Sequence, residues 1–201
     1  MTEPKSTSVV LASASPRRLE LLKRIGIDPL VIAADVDETV LPGESPSEYV
    51  LRVALDKAHR VVNSSAVRDA PTGAIIISAD TSVVLDGEIL GKPEDNSHAS
   101  TMLRSLSGRP HEVLTSLVAL DLDGIEHSFI ARATVRFCEL TEDEIEWYVS
   151  TGEPVGKAGA YAIQGIGEFM VESIAGAPST VIGLPLRETI ELLRLAGLRW
   201  P

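Results

Sequence analysis

Ala74-Ile75-Ile76-Ile77-Ser78-Ala79-Asp80-Thr81 decides how this chain is read. Its apolar opening, residues 74–77, reads as a strand buried on both faces, the state of strands that carry helices on either side of a sheet. The run stops at Asp80, a carboxylate placed at the C-terminal end of the strand, where open α/β sheets bind their ligands. There it can hold a hard cation such as Mg²⁺ or accept a proton from water attacking a phosphate. The competing reading, in which Asp-Thr merely begins a turn, is decided by the neighbouring segments.

Outward from that strand, apolar runs alternate with helical patterns: Val9 to Ala12, a helix after Pro16, Leu30 to Ala33, and a helix after Pro46. This order predicts α/β architecture. The first helix has Ser15 as N-cap, Pro16 at its first position, Leu19, Leu22 and Ile25 on one stripe, and Gly26 as terminator. The second has a capping box in Ser45-Pro46-Ser47-Glu48 and a stripe of Val50, Val53, Ala54, Ala58 and Val61. Ser82 to Leu85 and Glu88 to Leu90 predict a hairpin closed by Asp86-Gly87. A helix follows over residues 96–106, and two long strands between Glu112 and Phe137 meet at Asp123-Gly124. Their length predicts a large antiparallel component in a mixed sheet flanked by helices. A capping box at Thr141-Glu142-Asp143-Glu144 opens a helix ending near Gly152, the glycines at 156, 159, 165 and 167 mark an irregular segment, and a last helix begins at Pro185. No composition shift marks a linker, so residues 1–201 read as one folding unit with two lobes and a central cleft.

Composition narrows the function. The 201 residues are 44% hydrophobic, with no run near the roughly 20 apolar residues of a membrane span. The polar start, Met1 to Ser8, leads into too short an apolar run for a signal peptide, so a cytoplasmic protein without a membrane partner is expected. Cys138 is the single cysteine, which excludes an internal disulfide and a thiolate zinc cluster, and on an alternating strand it reads as packing. A net charge of −11 argues against binding a nucleic acid polymer. A small phosphate ligand stays compatible with that charge if cations are concentrated locally and a divalent metal is recruited.

Such cations stand where local rules disfavour them. Leu11-Ala12-Ser13-Ala14-Ser15-Pro16-Arg17-Arg18 puts two arginines in the first turn of a helix, against the macrodipole. An anion bound at that helix N-terminus would resolve the conflict, whereas side chains pointing into water would leave it of no consequence. Lys57 lies within the apolar stripe of the second helix, either snorkelling past the core edge, the simpler reading in isolation, or directed into a cleft. Lys92, in Gly91-Lys92-Pro93, follows the hairpin and could be carried back over the same site; it lacks the spaced glycines of a Walker loop. Asp35, Asp37 and Glu38 form an acidic cluster of metal ligands or of a solvated loop, the latter favoured for Asp35. Gln164, flanked by glycines, can donate and accept at a base edge or lie on the surface. His59, His98, His111 and His127 have no metal-ligand spacing and read as surface or structural residues.

Residues 11–18, Ala79-Asp80-Thr81, Gly91-Lys92-Pro93, Leu106-Ser107-Gly108, Lys157-Ala158-Gly159-Ala160-Tyr161, Ile163-Gln164-Gly165 and Val181-Ile182-Gly183-Leu184-Pro185-Leu186 together resemble the Maf family, in its order and over nearly the whole chain. That resemblance implies a mixed α/β, two-lobed fold shared with inosine triphosphate pyrophosphatases (Maf/Ham1), and cytoplasmic hydrolysis of nucleoside triphosphates between the α and β phosphates. It implies Asp80 as proton acceptor and metal ligand, Glu38 as a second metal ligand for Mg²⁺ or Mn²⁺, and Ser13, Arg18, Lys57 and Lys92 at phosphate and metal positions. Arg17, Thr81 and Gln164 fall where the family sets substrate preference. The segment around Gln164 resembles the branch acting on dTTP and UTP; the branch acting on methylated guanine nucleotides such as 7-methyl-GTP has another residue there. Rival readings are a non-catalytic nucleotide-binding regulator of cell division and a phosphotransferase. The assembly state, monomer or homodimer, stays open. Departures from the family pattern are Ala14 for Gly, Glu168-Phe169-Met170 for a smaller segment, and Gly176-Ala177-Pro178-Ser179 for Gly-Ser-Tyr, the last two expected near the nucleotide.

Overall fold

The computed structural model describes residues 8–71, 73–121 and 124–199. Seven strands form one mixed sheet: β1 (Val9–Leu11), β2 (Leu30–Val31), β3 (Ile75–Leu85), β4 (Glu88–Leu90), β5 (Pro110–Asp121), β6 (Glu126–Phe137) and β7 (Val171–Ala175). They run in the order β2-β1-β3-β5-β6-β7, with β4 paired to β3 off this path. Pairing is parallel from β2 through β1 to β3 and antiparallel beyond. The helices are α1 (Pro16–Arg24), α2 (Pro46–Val62), α3 (Asn96–Leu106), α4 (Glu142–Ser150), α5 (Pro178–Ile182) and α6 (Leu186–Leu195).

β3 corrects the expectation that a strand ends at Asp80. It runs unbroken through Asp80 into the hairpin arm, because β5 stays in register with it from Ile75 opposite Asp121 to Val84 opposite Glu112. What ends is the parallel partner: β1 pairs with β3 only as far as Leu11 opposite Ile77. Asp80 therefore lies just beyond the carboxyl end of the parallel part, with antiparallel backbone bonds still supporting it. The hairpin turn is as expected, since Asp86 and Gly87 both take left-handed angles (φ 53 and 87) that match the strand twist.

α2 lies on the sheet through its anticipated stripe, with Val50, Val53, Ala54, Ala58 and Val61 all buried, and both halves of its capping box form. α1 begins after Ser15 as read, but Ser15 makes no side-chain cap bond, and Leu21 joins Leu22 in the core while Leu19 and Ile25 are only partly buried. The expected Leu30 to Ala33 strand shrinks to two exposed residues at the sheet edge. Asp123, at the foreseen turn between β5 and β6, lies outside the described residues. Cys138 follows the end of β6 and is exposed, so it does not pack in the core. His111 is buried and structural, its Nε2 2.8 Å from the Tyr161 hydroxyl, with burial pushing its imidazole down to about 4. β7 and α5 were not foreseen.

The apolar core divides about the middle of the sheet. One grouping joins β1, β3, α1 and α6 through residues such as Leu11, Ile77, Leu22 and Leu193. Another joins α3, α4 and β6 through Leu103, Tyr148 and Phe137. Between them opens a cavity of about 380 Å³, into which the residues singled out above project.

Candidate active site

Lys57 is the hub of the charged end. Its position in the apolar stripe buries it to 7% exposure, and its ammonium donates to Asp80 Oδ1 at 2.8 Å and pairs with Glu38 Oε1 at 2.7 Å. It points into the cleft and does not snorkel. An unpaired ammonium so buried would be strongly unfavourable, and two carboxylates remove that cost. Lys92 arrives from the loop after β4 and donates to the other oxygen of Glu38 at 2.6 Å. The result is a chain Asp80, Lys57, Glu38, Lys92 of alternating charge. Burial disfavours the ionised Glu38, but hydrogen bonds from Lys57 and Lys92 and their charges outweigh it and hold its carboxyl down to about 2.

Glu38 reaches this point because α2 grips its loop. Tyr49 donates to the Glu38 carbonyl at 2.9 Å, and Arg52 donates to Glu44 and to the Thr39 carbonyl. Burial, with Asp80 and Glu38 nearby, raises the Tyr49 hydroxyl to about 12. Asp35 and Asp37 are exposed, and Asp37 accepts from the Thr39 amide. Of the acidic cluster, then, only Glu38 enters the site.

The two arginines of α1 part company. Arg17 faces the cavity with no protein acceptor among the described residues. Arg18 is built into the wall: its Nε donates to the Gly183 carbonyl at 2.9 Å, Nη1 to Ser13 Oγ at 3.2 Å and Nη2 to Thr81 Oγ1 at 3.2 Å. Burial lowers its guanidinium from the ordinary value, opposed by Asp80 and assisted by Arg17. Thr81 in turn lies 3.0 Å from the hydroxyl of Thr115 on β5, which donates to the Thr180 carbonyl at 2.8 Å.

Another part of the wall is the segment around Gln164, whose side-chain amide has no protein partner among the described residues. Gly159 takes φ +65, and a Cβ there would come within 2.9 Å of Val83, so only glycine lets this segment lie against β3. Its amide donates to the Gly91 carbonyl at 3.0 Å, tying the segment to the loop that carries Lys92. Glu153 then clamps the turn after Gln164. One oxygen accepts from Tyr148 and from the Gly167 amide, both at 2.9 Å; the other accepts from the Ile166 amide at 2.9 Å. A Cβ on Gly165 would overlap this carboxylate. Burial is opposed by those three donors, and the Glu153 carboxyl is lowered overall. Lys157 adds a further cation to the wall, lowered by burial and by Arg17.

The nine residues that the resemblance implies for the site, Ser13, Arg17, Arg18, Glu38, Lys57, Asp80, Thr81, Lys92 and Gln164, line this one cavity, whereas Asp35 and Asp37 do not. Sequence reasoning missed Thr115 and Glu153 as organisers; Lys157 lay within a quoted segment and could have been found as a cation beside glycines. The departures at 168–170 and 176–179 do not line the cavity. Phe169 packs instead against Trp147, ring centroids 5.5 Å apart.

Cations thus gather around the cleft of an acidic protein, beside a carboxylate able to take a proton. The chain belongs to the Maf family: the family model described as Maf-like protein matches residues 8–196. A protein of Anaeromyxobacter dehalogenans (strain 2CP-1 / ATCC BAA-258) named dTTP/UTP pyrophosphatase is 50% identical over 196 residues, 96% of each chain. One of the same name from Myxococcus xanthus (strain DK1622) is 47% identical over 195 residues, 97% of this chain and 95% of that one. Among solved structures, a HAM1 protein from Coxiella burnetii is similar at a TM-score of 0.49 and 16% identity, covering 94% of this chain and 99% of that one. Among the described residues, no helix is long and apolar enough to cross a membrane.

Proposed function

We infer that this protein hydrolyses dTTP and UTP to the nucleoside monophosphate and pyrophosphate in the cytoplasm. The observation that carries the reading is the Asp80, Lys57, Glu38, Lys92 chain, buried at Asp80 and Lys57, in a cavity whose wall also presents the side-chain amide of Gln164, without a protein partner among the described residues. The names of relatives near 50% identity support the same substrates.

The donor set suits a divalent cation such as Mg²⁺ or Mn²⁺. Asp80 and Glu38 both touch the Lys57 ammonium and so lie within reach of one small ion. Among the described residues no three His, Cys, Asp or Glu side chains come together to hold a metal. Two carboxylates completed by substrate phosphate and water are the usual magnesium arrangement. The cation, when bound, would neutralise phosphate charge. Asp80 orients the attacking water and takes its proton. Lys57, Lys92 and Arg17 offset charge on the triphosphate and the leaving pyrophosphate, while Arg18 holds Ser13 and Thr81 in place. Gln164, able to donate and to accept, donates its amide N–H to the O4 carbonyl of uracil or thymine.

The test is product analysis on a panel of triphosphates with Mg²⁺ and with a chelator. Pyrophosphate with UMP or dTMP is expected, and chelation should stop the reaction. Orthophosphate as the first inorganic product would refute the cleavage position, a preference for 7-methyl-GTP the base assignment, and binding without turnover the enzymatic reading.

A further inference from the structure

Two hydroxyls flank the Arg18 guanidinium, and counting their protons gives them opposite polarity. Ser13 Oγ accepts twice, from the Ser15 amide at 3.1 Å and from Arg18 at 3.2 Å. Its lone pairs are used and its proton is free, so toward the cavity it donates. Thr81 is the reverse. The Thr180 carbonyl can only accept, so the single proton of Thr115 is committed to it at 2.8 Å. Thr115 therefore has only a lone pair to offer Thr81, and the 3.0 Å contact between them must be donated by Thr81. Arg18, which can only donate, fills one lone pair of Thr81 at 3.2 Å. What Thr81 shows the cavity is its remaining lone pair. The direction of the relay, Arg18 to Thr81 to Thr115 to the Thr180 carbonyl, is fixed at both ends by groups that cannot reverse roles.

A phosphate oxygen also carries only lone pairs and would be repelled there, whereas Ser13 suits it. Resting on the dTTP/UTP reading above, we propose that Thr115 is a positioning residue that makes Thr81 an obligate acceptor, and that Thr81 thereby selects a base presenting an N3–H, as uracil and thymine do. Cytosine offers a lone pair at N3 and meets another lone pair. Thr115 is fully buried and outside the cavity wall, so it acts through the proton of Thr81 and touches no substrate.

The experiment compares kcat/KM for UTP and CTP in wild type, Thr115→Val and Thr115→Ser. Valine keeps the shape but removes the acceptor, which frees the Thr81 proton to point into the cavity. The UTP to CTP ratio should fall roughly five-fold or more in Thr115→Val, the scale of one mispaired buried group, and return to within about two-fold of wild type in Thr115→Ser. A folded Thr115→Val with the wild-type ratio overturns the proposal. If the valine variant does not fold, wild-type enzyme is given UTP and N3-methyl-UTP: a loss of five-fold or more on methylation is expected, and equal turnover overturns the proposal. Failure of wild type to turn over any triphosphate would instead strike the functional reading on which this rests.

Discussion

The charged end and the glycine-rich end of the cavity are built by opposite means. At the first, Lys57 on α2 and Asp80 on β3 pair with each other, and Lys57 with Glu38 on a loop gripped by α2, through ion pairs of 2.8 and 2.7 Å. At the second, the Gln164 side chain has no protein partner among the described residues; its loop is shaped by Glu153 through two backbone amides and a tyrosine hydroxyl. Chemistry that must proceed identically on every substrate is placed on rigid structure. Discrimination between substrates is shared between Thr81 on β3 and a loop whose conformation is set from behind, and the loop can change without disturbing the catalytic carboxylate.

The largest effect that could break this division is at Asp80. Asp80→Asn is nearly isosteric, leaves Glu38 as partner to Lys57, and should lower kcat by about a hundredfold or more on every triphosphate alike. Wild-type turnover, or a loss confined to one base, would remove Asp80 from the chemistry. A smaller effect is expected from Glu153→Gln. The amide can no longer accept through both arms, so one of the Ile166 and Gly167 amides loses its partner and the loop loosens. KM for UTP and dTTP should rise roughly three- to ten-fold while kcat changes by less than about two-fold. An equal fall in kcat would mean that Glu153 supports the whole cleft.

The smallest effect is a pH dependence. Glu38 has its folded pKa lowered from 4.5 to about 2. Its contribution to stability is therefore complete above about 4.5 and is lost as pH falls toward 2. The stability gap between wild type and Glu38→Gln, measured by denaturation without substrate, should be widest near neutrality and narrow below pH 4.5. A gap independent of pH would show that Glu38 is not held by Lys57 and Lys92.

The same contrast explains what could be read from the sequence. Two arginines in a first turn and a lysine in an apolar stripe are visible because each violates a local rule, and all three line the site. α2 was legible because capping box and stripe agree. β7 was not: Val171-Glu172-Ser173-Ile174-Ala175 lacks a two-residue alternation and becomes a strand only by pairing with β6. α5 is five residues long, too short to carry a period. The end of β3 was misplaced because apolarity falls at Ser78 to Ser82, although β5 keeps the backbone paired. Glu153 and Thr115 gave no signal, since apart from Tyr148, five residues before Glu153, their partners lie thirteen or more residues away and are mostly backbone.

The division between the two ends is tested most directly by Gln164→Glu, assayed for kcat/KM on UTP, dTTP, CTP and GTP beside wild type. The substitution removes the donor and adds a charge at the Gln164 segment while leaving Arg17, Lys57 and Lys92 in place. Leaving part of the base edge unpaired should cost UTP and dTTP about 1 to 3 kcal/mol, or roughly 5- to 150-fold, with smaller losses on CTP and GTP. Equal losses on all four nucleotides would contradict the account, because Gln164 would then not be reading the base.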